Sequence, residues 1–368
     1  MNRDFAFDLK EASGALGDLG TLLPLIVAAV ALGGLAPVPV LLGFAAFYIM
    51  TALVYRLPVP VQPMKAIVAV MLVSQVPLAS VAMSGVVIGA VLLVLGASGW
   101  IDRLLRLVPQ SVVSGLQMGL GLMLGLVALD MMAATPLLGA FALLLLLGLI
   151  GIGLPAALVF VVLAVPAGLW FGLPGVEMTA PDAASGGDSF AIALGSLALP
   201  QLSLTLTNAI LLTTFVMQDA YGERASRVTP RKLAITTGIA NLCLAPLGAL
   251  PMCHGAGGAA AHRKFGARTG GAPLMLGLAL GALAVLPEGF AVLAMIPAVA
   301  LGALLLVASA DLALSKRLFD AVPSCRPVIA VTALGVVLWN PLAALVIGTL
   351  AEMIRKAVVR RVFAARRG

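Results

Sequence analysis

Charge is scarce in this sequence: 10% of its 368 residues are Asp, Glu, Lys or Arg, where soluble domains carry ~25%. So few ionic groups cannot clothe the water-facing surface of a chain this long. Cysteine is rarer still, with Cys243, Cys253 and Cys325 the full set. They stand far apart, in no CxxC pair and beside no histidine cluster, so neither a metal nor a dithiol redox site is expected. Neither a nucleotide-binding loop nor an HExxH pair occurs, which leaves no motif for an enzyme and makes an ion gradient the energy source. No cofactor is called for. The formal net charge of +7 would point to nucleic acid in a soluble protein. Here the cations sit at the ends of apolar runs, where they set topology and meet anionic headgroups, so nucleic-acid binding is set aside.

What the chain has instead is hydrocarbon. Apolar residues make up 62% of it and the mean hydropathy is +1.15. Runs approaching the ~20 apolar residues that span a bilayer follow one another from Gly14 to Val359, broken mainly by Pro, Gly and short charged loops. An all-α polytopic membrane protein follows, with lipid as its solvent. The breaks predict spans near 13–33, 37–56, 62–75, 78–98, 107–130, 136–152 and 155–173, then 199–221, 230–249, 254–266, 271–287, 290–310, 327–339 and 341–359. Residues 1–173 form one set of seven and 199–368 another, joined by an external loop over 174–198.

With the N-terminus in the cytoplasm, Arg56, Arg103, Arg106, the group Arg224, Arg227, Arg231 and Lys232, then Arg263, Lys264, Arg268, Lys316, Arg317, Arg326 and the Arg-rich tail all fall inside. Glu177, Asp182, Asp188 and Glu288 fall outside. Fourteen spans keep this asymmetry better than twelve, and both termini of an inner-membrane protein then lie in the cytoplasm. No small-residue cleavage site follows Met1 to Lys10, so no removable signal peptide is expected. Because seven is odd, the second half runs opposite to the first, as in inverted-repeat secondary transporters.

Two segments are broken at corresponding places. The third opens Leu57-Pro58-Val59-Pro60-Val61-Gln62-Pro63-Met64-Lys65, whose alternate prolines impose extended backbone before a half-helix starts. Its counterpart is Pro246-Leu247-Gly248-Ala249-Leu250-Pro251-Met252-Cys253-His254-Gly255-Ala256-Gly257-Gly258, leading to a short helix that ends at Arg263 and Lys264. Paired interruptions point to a binding site, and two facing half-helix N-termini suit an anion. Gln62, Lys65, His254, Gly255, Gly257 and Gly258 are therefore the candidate substrate contacts. Tight helix packing explains the glycines equally well; the proline breaks with an intramembrane Lys65 tilt the balance to a site. Asp18, in the first span, costs about 2.5 kcal/mol or more at mid-bilayer unless paired or hydrated; it is read as a partner of Lys65, a proton carrier or a capping residue. Asp219 is a proton relay or a solvated helix end. His254 is a titrating group or a hydrogen-bonding cap.

Three stretches carry a family resemblance. Gly14-Ala15-Leu16-Gly17-Asp18-Leu19-Gly20-Thr21, Pro58 to Ile67 with its Gln62-Pro63-Met64-Lys65, and Pro251 to Gly258 with Phe265-Gly266-Ala267-Arg268-Thr269-Gly270 resemble the molybdate transporter family, a branch related to the SulP sulfate permeases. The resemblance implies the fold shared with uracil permeases: a core domain of spans 1–4 and 8–11 that moves against a gate domain of spans 5–7 and 12–14. It places the polar eighth span beside the ligand, with Asn208 as the direct contact, and lets Gln117 line the cavity from the gate. No cytoplasmic STAS domain is expected, since the sequence closes at Gly368 soon after the last apolar run. By analogy, gate domains would pair into a homodimer.

The expectation is a secondary transporter importing a tetrahedral oxyanion, molybdate before sulfate, by proton symport and alternating access. A nucleobase or other small-anion permease on the same fold is one alternative, an anion channel another.

Overall fold

The computed structural model describes residues 4–74, 76–101, 103, 109–175, 189–286 and 295–365. Glu177, Asp182, Asp188, Glu288 and Arg106 lie outside the described residues. In a solvent that cannot bond the backbone, each apolar run must satisfy its own N–H and C=O groups, and the helix does so locally. The described residues are almost wholly helical. In chain order they form α1 (Leu9–Ala31), α2 (Pro37–Tyr55), α3 (Lys65–Ser74), α4 (Leu78–Ser98), α5 (Gln110–Ala133), α6 (Pro136–Gly151) and α7 (Ala156–Phe171). There follow α8 (Ser189–Arg227), then α9 (Pro230–Leu244), α10 (Ala256–Lys264), α11 (Gly271–Val285), α12 (Ala298–Ala313), α13 (Arg326–Leu338) and α14 (Pro341–Ala365).

Local chemistry sets the ends. The Asp8 carboxylate accepts from the Lys10 and Glu11 amides at 3.0 and 2.9 Å and opens α1. Prolines open α2, α6, α9 and α14, where a missing N–H costs nothing. Within α1, Pro24 removes the bond to the Gly20 carbonyl, and the helix bends by 46° between Leu9–Leu19 and Leu22–Ala31. Four helices, α2, α4, α5 and α8, are long and apolar enough to cross a bilayer, and five if the bent α1 is one span. Leu137, Leu144, Trp170 and Phe171 stand largely exposed, as lipid-facing side chains do.

Small residues bring the helices together. α4 packs on α9, α2 on α11, and α5 on both α12 and α13. A Cβ on Gly89 would come within 2.9 Å of the Gly238 carbonyl oxygen, and one on Gly238 equally close to that of Gly89. Only glycine on both sides allows α4 and α9 this approach.

Several boundaries depart from the sequence reading: α1 starts at Leu9 rather than 13, α9 ends at Leu244 rather than 249, α12 starts at Ala298 rather than 290, and three more bear on the site. The loop expected to run to residue 198 ends instead at Ser189, where α8 begins. The expected span began near 199, but a wide π-helical stretch over Ile192–Ala198, immediately before Pro200, relieves the proline ring's conflict with the preceding turn and carries the helix through it, and a second follows over Thr205–Leu212. The short helices α3 and α10 start later than 62 and 254, because extended backbone precedes each. That backbone forms a two-residue antiparallel pair, β1 (Gln62–Pro63) with β2 (Met252–Cys253), in the register Gln62 to Cys253 and Pro63 to Met252.

Named partners meet several of the remaining polar groups of the two breaks. Met64 N–H bonds the Pro251 carbonyl at 3.0 Å. The Tyr48 hydroxyl reaches the Val61 carbonyl at 2.7 Å. Asn241 on α9 grips Met252 twice, donating to its carbonyl at 2.6 Å and accepting from its amide at 2.9 Å. Asn241→Leu orphans both groups, at ~1–3 kcal/mol each; thermal unfolding in detergent should show a drop of several degrees or failure to fold, while the exposed Leu144→Ala leaves the midpoint within about a degree.

Candidate functional site

Where β1 hands over to α3, a small cavity opens between the breaks, α5, α8 and α12. Gln62, Lys65, Gln117, Gln201, Asn208, Cys253 and His254 supply its polar lining, with Pro63, Leu204, Ala209 and Leu312. Its volume of about 20 Å³ admits roughly one water, so a larger ligand requires its walls to part. Among the described residues no Asp or Glu belongs to this lining. Lys65 is half-buried, and among the described residues no carboxylate lies within salt-bridge distance of it.

Two amides face the same space. Gln117 from α5 is 5% exposed and its Oε1 finds no partner. Amide oxygen and nitrogen are interchangeable by rotation, so this group can present an N–H to a ligand. Asn208 lies in the second π-helical stretch of α8, a common setting for functional residues, and its side-chain amide makes no hydrogen bond among the described residues. Gln201, one helical turn beyond the first π stretch, accepts from the Ala66 amide at 2.9 Å and so occupies one N–H of the α3 terminus. The anion-binding power of α3 therefore rests on the ammonium as much as on the helix end.

Behind the cavity lies a second polar cluster. Asp18 is fully buried; Tyr48 donates to its Oδ2 at 2.6 Å and Gln62 to its Oδ1 at 3.0 Å. His262 of α10, also fully buried, faces the same Oδ2 at 3.5 Å and donates from Nδ1 to the Gly14 carbonyl at 2.9 Å. The cluster joins α1, α2, β1 and α10, so Asp18 braces the core of the site. Gln62 lines the cavity with its amide nitrogen turned to Asp18. His254 is held from both ring nitrogens, by the Pro60 carbonyl at 2.9 Å and Thr236 at 3.0 Å. Its ring packs against Phe47 and Tyr55, and the carbonyl partner assigns the proton to Nδ1. His254 thus ties the first break to α9. Asp219 stands apart, 90% exposed and 3.7 Å from Arg263 at the surface.

A wider vestibule of about 350 Å³ adjoins this arrangement, lined by α1, α6, α7, α10 and α12. Gly257 and Lys264 face it, as does Asp311 of α12. The three glycines of α10 divide by environment. A side chain on Gly255 would strike Gln62, and one on Gly258 would strike Asp18 and Gln62, whereas Gly257 has open space. Close approach of a ligand to the backbone is therefore available at Gly257.

Tyr48, Gln201, His262 and Asp311 escaped the sequence reading. Tyr48 sits in an apolar run without a signal. Gln201 falls at the very start of an expected span, His262 precedes the basic pair that marks a cytoplasmic end, and Asp311 falls one residue past an expected span.

Comparison with known proteins agrees with this architecture. Residues 10–124 and 193–312 match the family described as molybdate transporter of MFS superfamily. The chain is 29% identical to molybdate transporter 1 of Arabidopsis thaliana over 86% of its length and 81% of that protein's. Its identity to molybdate transporter 2 of the same plant is 30%, over 84% of this chain and 79% of the relative. Among solved structures, the transmembrane domain of a cyanobacterium bicarbonate transporter, BicA, superposes with a TM-score of 0.67 at 17% identity, covering 91% of this chain and 96% of that one. The inward-facing murine solute carrier 26 family member A9, an anion transporter, gives 0.69 at 14% identity, over 98% and 69%. The fold is the one these two share.

The contrast among the glycines is directly testable. Gly258→Ala should abolish stable expression or lower the unfolding midpoint markedly, because the methyl group displaces Asp18 or Gln62 from the brace. Gly257→Ala should unfold no earlier than wild type, since alanine gains up to ~1 kcal/mol of helix propensity there.

Proposed function

The chain belongs to the molybdate transporter family, and from that premise we propose that it is a secondary transporter importing a tetrahedral oxyanion, molybdate first and sulfate next, with protons as the coupling ion. The observation that carries this reading is the makeup of the small cavity: the Lys65 ammonium, the Gln117 amide with its unpartnered Oε1, and the Asn208 amide line it together, with no carboxylate among the described residues of the lining. A cation beside amide donors, out of bulk water, is the complement of an oxyanion's charge and lone pairs. The same amide oxygens would also accept from a nucleobase's ring N–H groups, so it is the Lys65 charge, with no carboxylate beside it in the lining, that favours an oxyanion.

The architecture is read as fourteen segments in a 7+7 inverted repeat, residues 1–173 and 199–368. Helix pairing supports it: shifting each number by seven turns the α2–α11 pair into α9–α4, returns α5–α12 to itself, and exchanges β1 with β2. On this reading α1–α4 and α8–α11 form a core carrying Lys65 and Asn208, and α5–α7 with α12–α14 form a gate carrying Gln117. The oxyanion sits between them, and the part-closed cavity opens as core and gate move. Both termini lie in the cytoplasm of the inner membrane, and gate domains pair in a homodimer.

Uptake of radiolabelled molybdate into proteoliposomes under an inward proton gradient tests the reading. Wild type should accumulate it saturably, with excess sulfate competing and uracil inert. Lys65→Ala should lose tenfold or more, as befits a charge-assisted contact worth ~1.5–3 kcal/mol. Uracil accumulation without molybdate uptake would overturn the cargo, non-saturable flux that never exceeds equilibrium would indicate a channel, and accumulation indifferent to the proton gradient would remove the coupling ion.

A further inference from the structure

A carbonyl oxygen only accepts, so the Gly14 carbonyl 2.9 Å from His262 Nδ1 fixes a proton on that nitrogen. In a neutral imidazole the other nitrogen, Nε2, then carries a lone pair. Nε2 is buried, makes no hydrogen bond among the described residues and stands 3.5 Å from Oδ2 of Asp18. An ionised carboxylate oxygen likewise only accepts, so two lone pairs face each other between side chains that are both fully buried. What the contact lacks is one proton. Tyr48 does not supply it, because its single hydroxyl proton is contested between Oδ2 at 2.6 Å and the Val61 carbonyl at 2.7 Å. A proton on Nε2 turns the contact into an imidazolium donating to a carboxylate and cancels the net charge of the pair.

The pair lies between the two cavities. Gly17, Ala261 and Gly257, the sequence neighbours of Asp18, His262 and Gly258, line the vestibule, so the backbone enclosing the pair is open to water on that side. On the other side Gln62 donates to Asp18 Oδ1 at 3.0 Å and lines the small cavity. The other titratable groups around α10 are engaged elsewhere. On α1, Glu11 accepts from the Arg268 amide and Lys10 is exposed. On α8, Asp219 faces Arg263 and Tyr221 donates to the Ala267 carbonyl. Lys65 of α3 faces the small cavity, Lys264 and Asp311 face the vestibule, and α7 and α11 carry no titratable residue.

We propose that His262 Nε2, paired with Asp18, is the binding site of the coupling proton, reached from the vestibule and linked to the oxyanion cavity through Gln62. The inference rests on the proton-coupled oxyanion reading above. Without the proton the pair keeps a net negative charge behind the cavity and opposes a dianion; with it the pair is neutral. Proton and dianion therefore strengthen each other's binding, and by linkage they do so equally.

Titration calorimetry of molybdate and sulfate into purified wild type, in buffers of different ionisation enthalpy near neutral pH where both probes remain dianions, counts the protons taken up with the anion. Wild type should take up a proton on binding, and its affinity should rise as pH falls, by up to about tenfold per unit. Asp18→Asn, neutral at every pH, and His262→Gln, whose amide donates without titrating, should bind with no proton uptake and a flat pH profile. A merely structural role would weaken binding and leave the proton count unchanged, so a folded variant that binds with the wild-type count overturns the proposal. If neither variant folds, nitrogen NMR of histidine-labelled wild type decides. The chain has two histidines, and His254 is already held at both ring nitrogens. Molybdate should convert one imidazole from the singly to the doubly protonated form, and unchanged signals overturn the proposal. A wild type that binds both probes without proton uptake overturns this inference and leaves the oxyanion reading standing, whereas one that binds neither sinks that reading.

Discussion

Four residues of extended backbone, Gln62–Pro63 and Met252–Cys253, cross where lipid offers no hydrogen bonds. Their pairing is the constraint on which the rest depends. Pro58, Pro60 and Pro63 at the first break, with Pro251 and the glycines that follow it at the second, interrupt the helix, so each freed N–H and C=O must find a partner within the protein. Tyr48 on α2, Asn241 on α9 and His254 beside β2 are those partners. All three are large, polar and buried for that reason. Had either break been continued as helix, the polar-lined cavity between the breaks would not form.

From this crossing the electrostatics follow. Interrupting two helices at the centre creates two new N-termini, one opened by Lys65 and the other by glycines. A cation at a helix N-terminus opposes the dipole, a conflict that the fold leaves standing at the cavity while it binds the buried Asp18 firmly to Tyr48, Gln62 and His262. Negative charge is thus retained behind the site and positive charge presented within it. Glycine at 255 and 258 is the packing counterpart of that arrangement, since Gln62 and Asp18 occupy the space their side chains would need.

Much of the helix plan was legible because lipid makes apolar length a nearly sufficient signal. The ends of α2, α4, α6 and α7 fall within a residue or two of the sequence reading, each marked by a proline or a terminating glycine. The start of α8 was misplaced because a π-helical stretch lets the helix run through Pro200, and no local pattern announces that geometry. In the site, Gln62, Lys65, Gln117, Asn208 and His254 all line one cavity, read from the breaks and a family likeness. Asp219 lies at the surface, and His262 and Asp311 went unnoticed because charges near helix ends look alike whether they face water or a vestibule.

Sequence by itself determined the solvent, the helical class and the two interruptions, because hydropathy, proline and glycine act within a few residues of where they stand. Tertiary structure alone decided which polar groups face each other. Asp18 meets His262 across 244 positions of the chain. Hydrogen bonds and charge pairs in a low-dielectric interior are strong but short in reach. Their partners are set by how the helices pack, which residue order does not record.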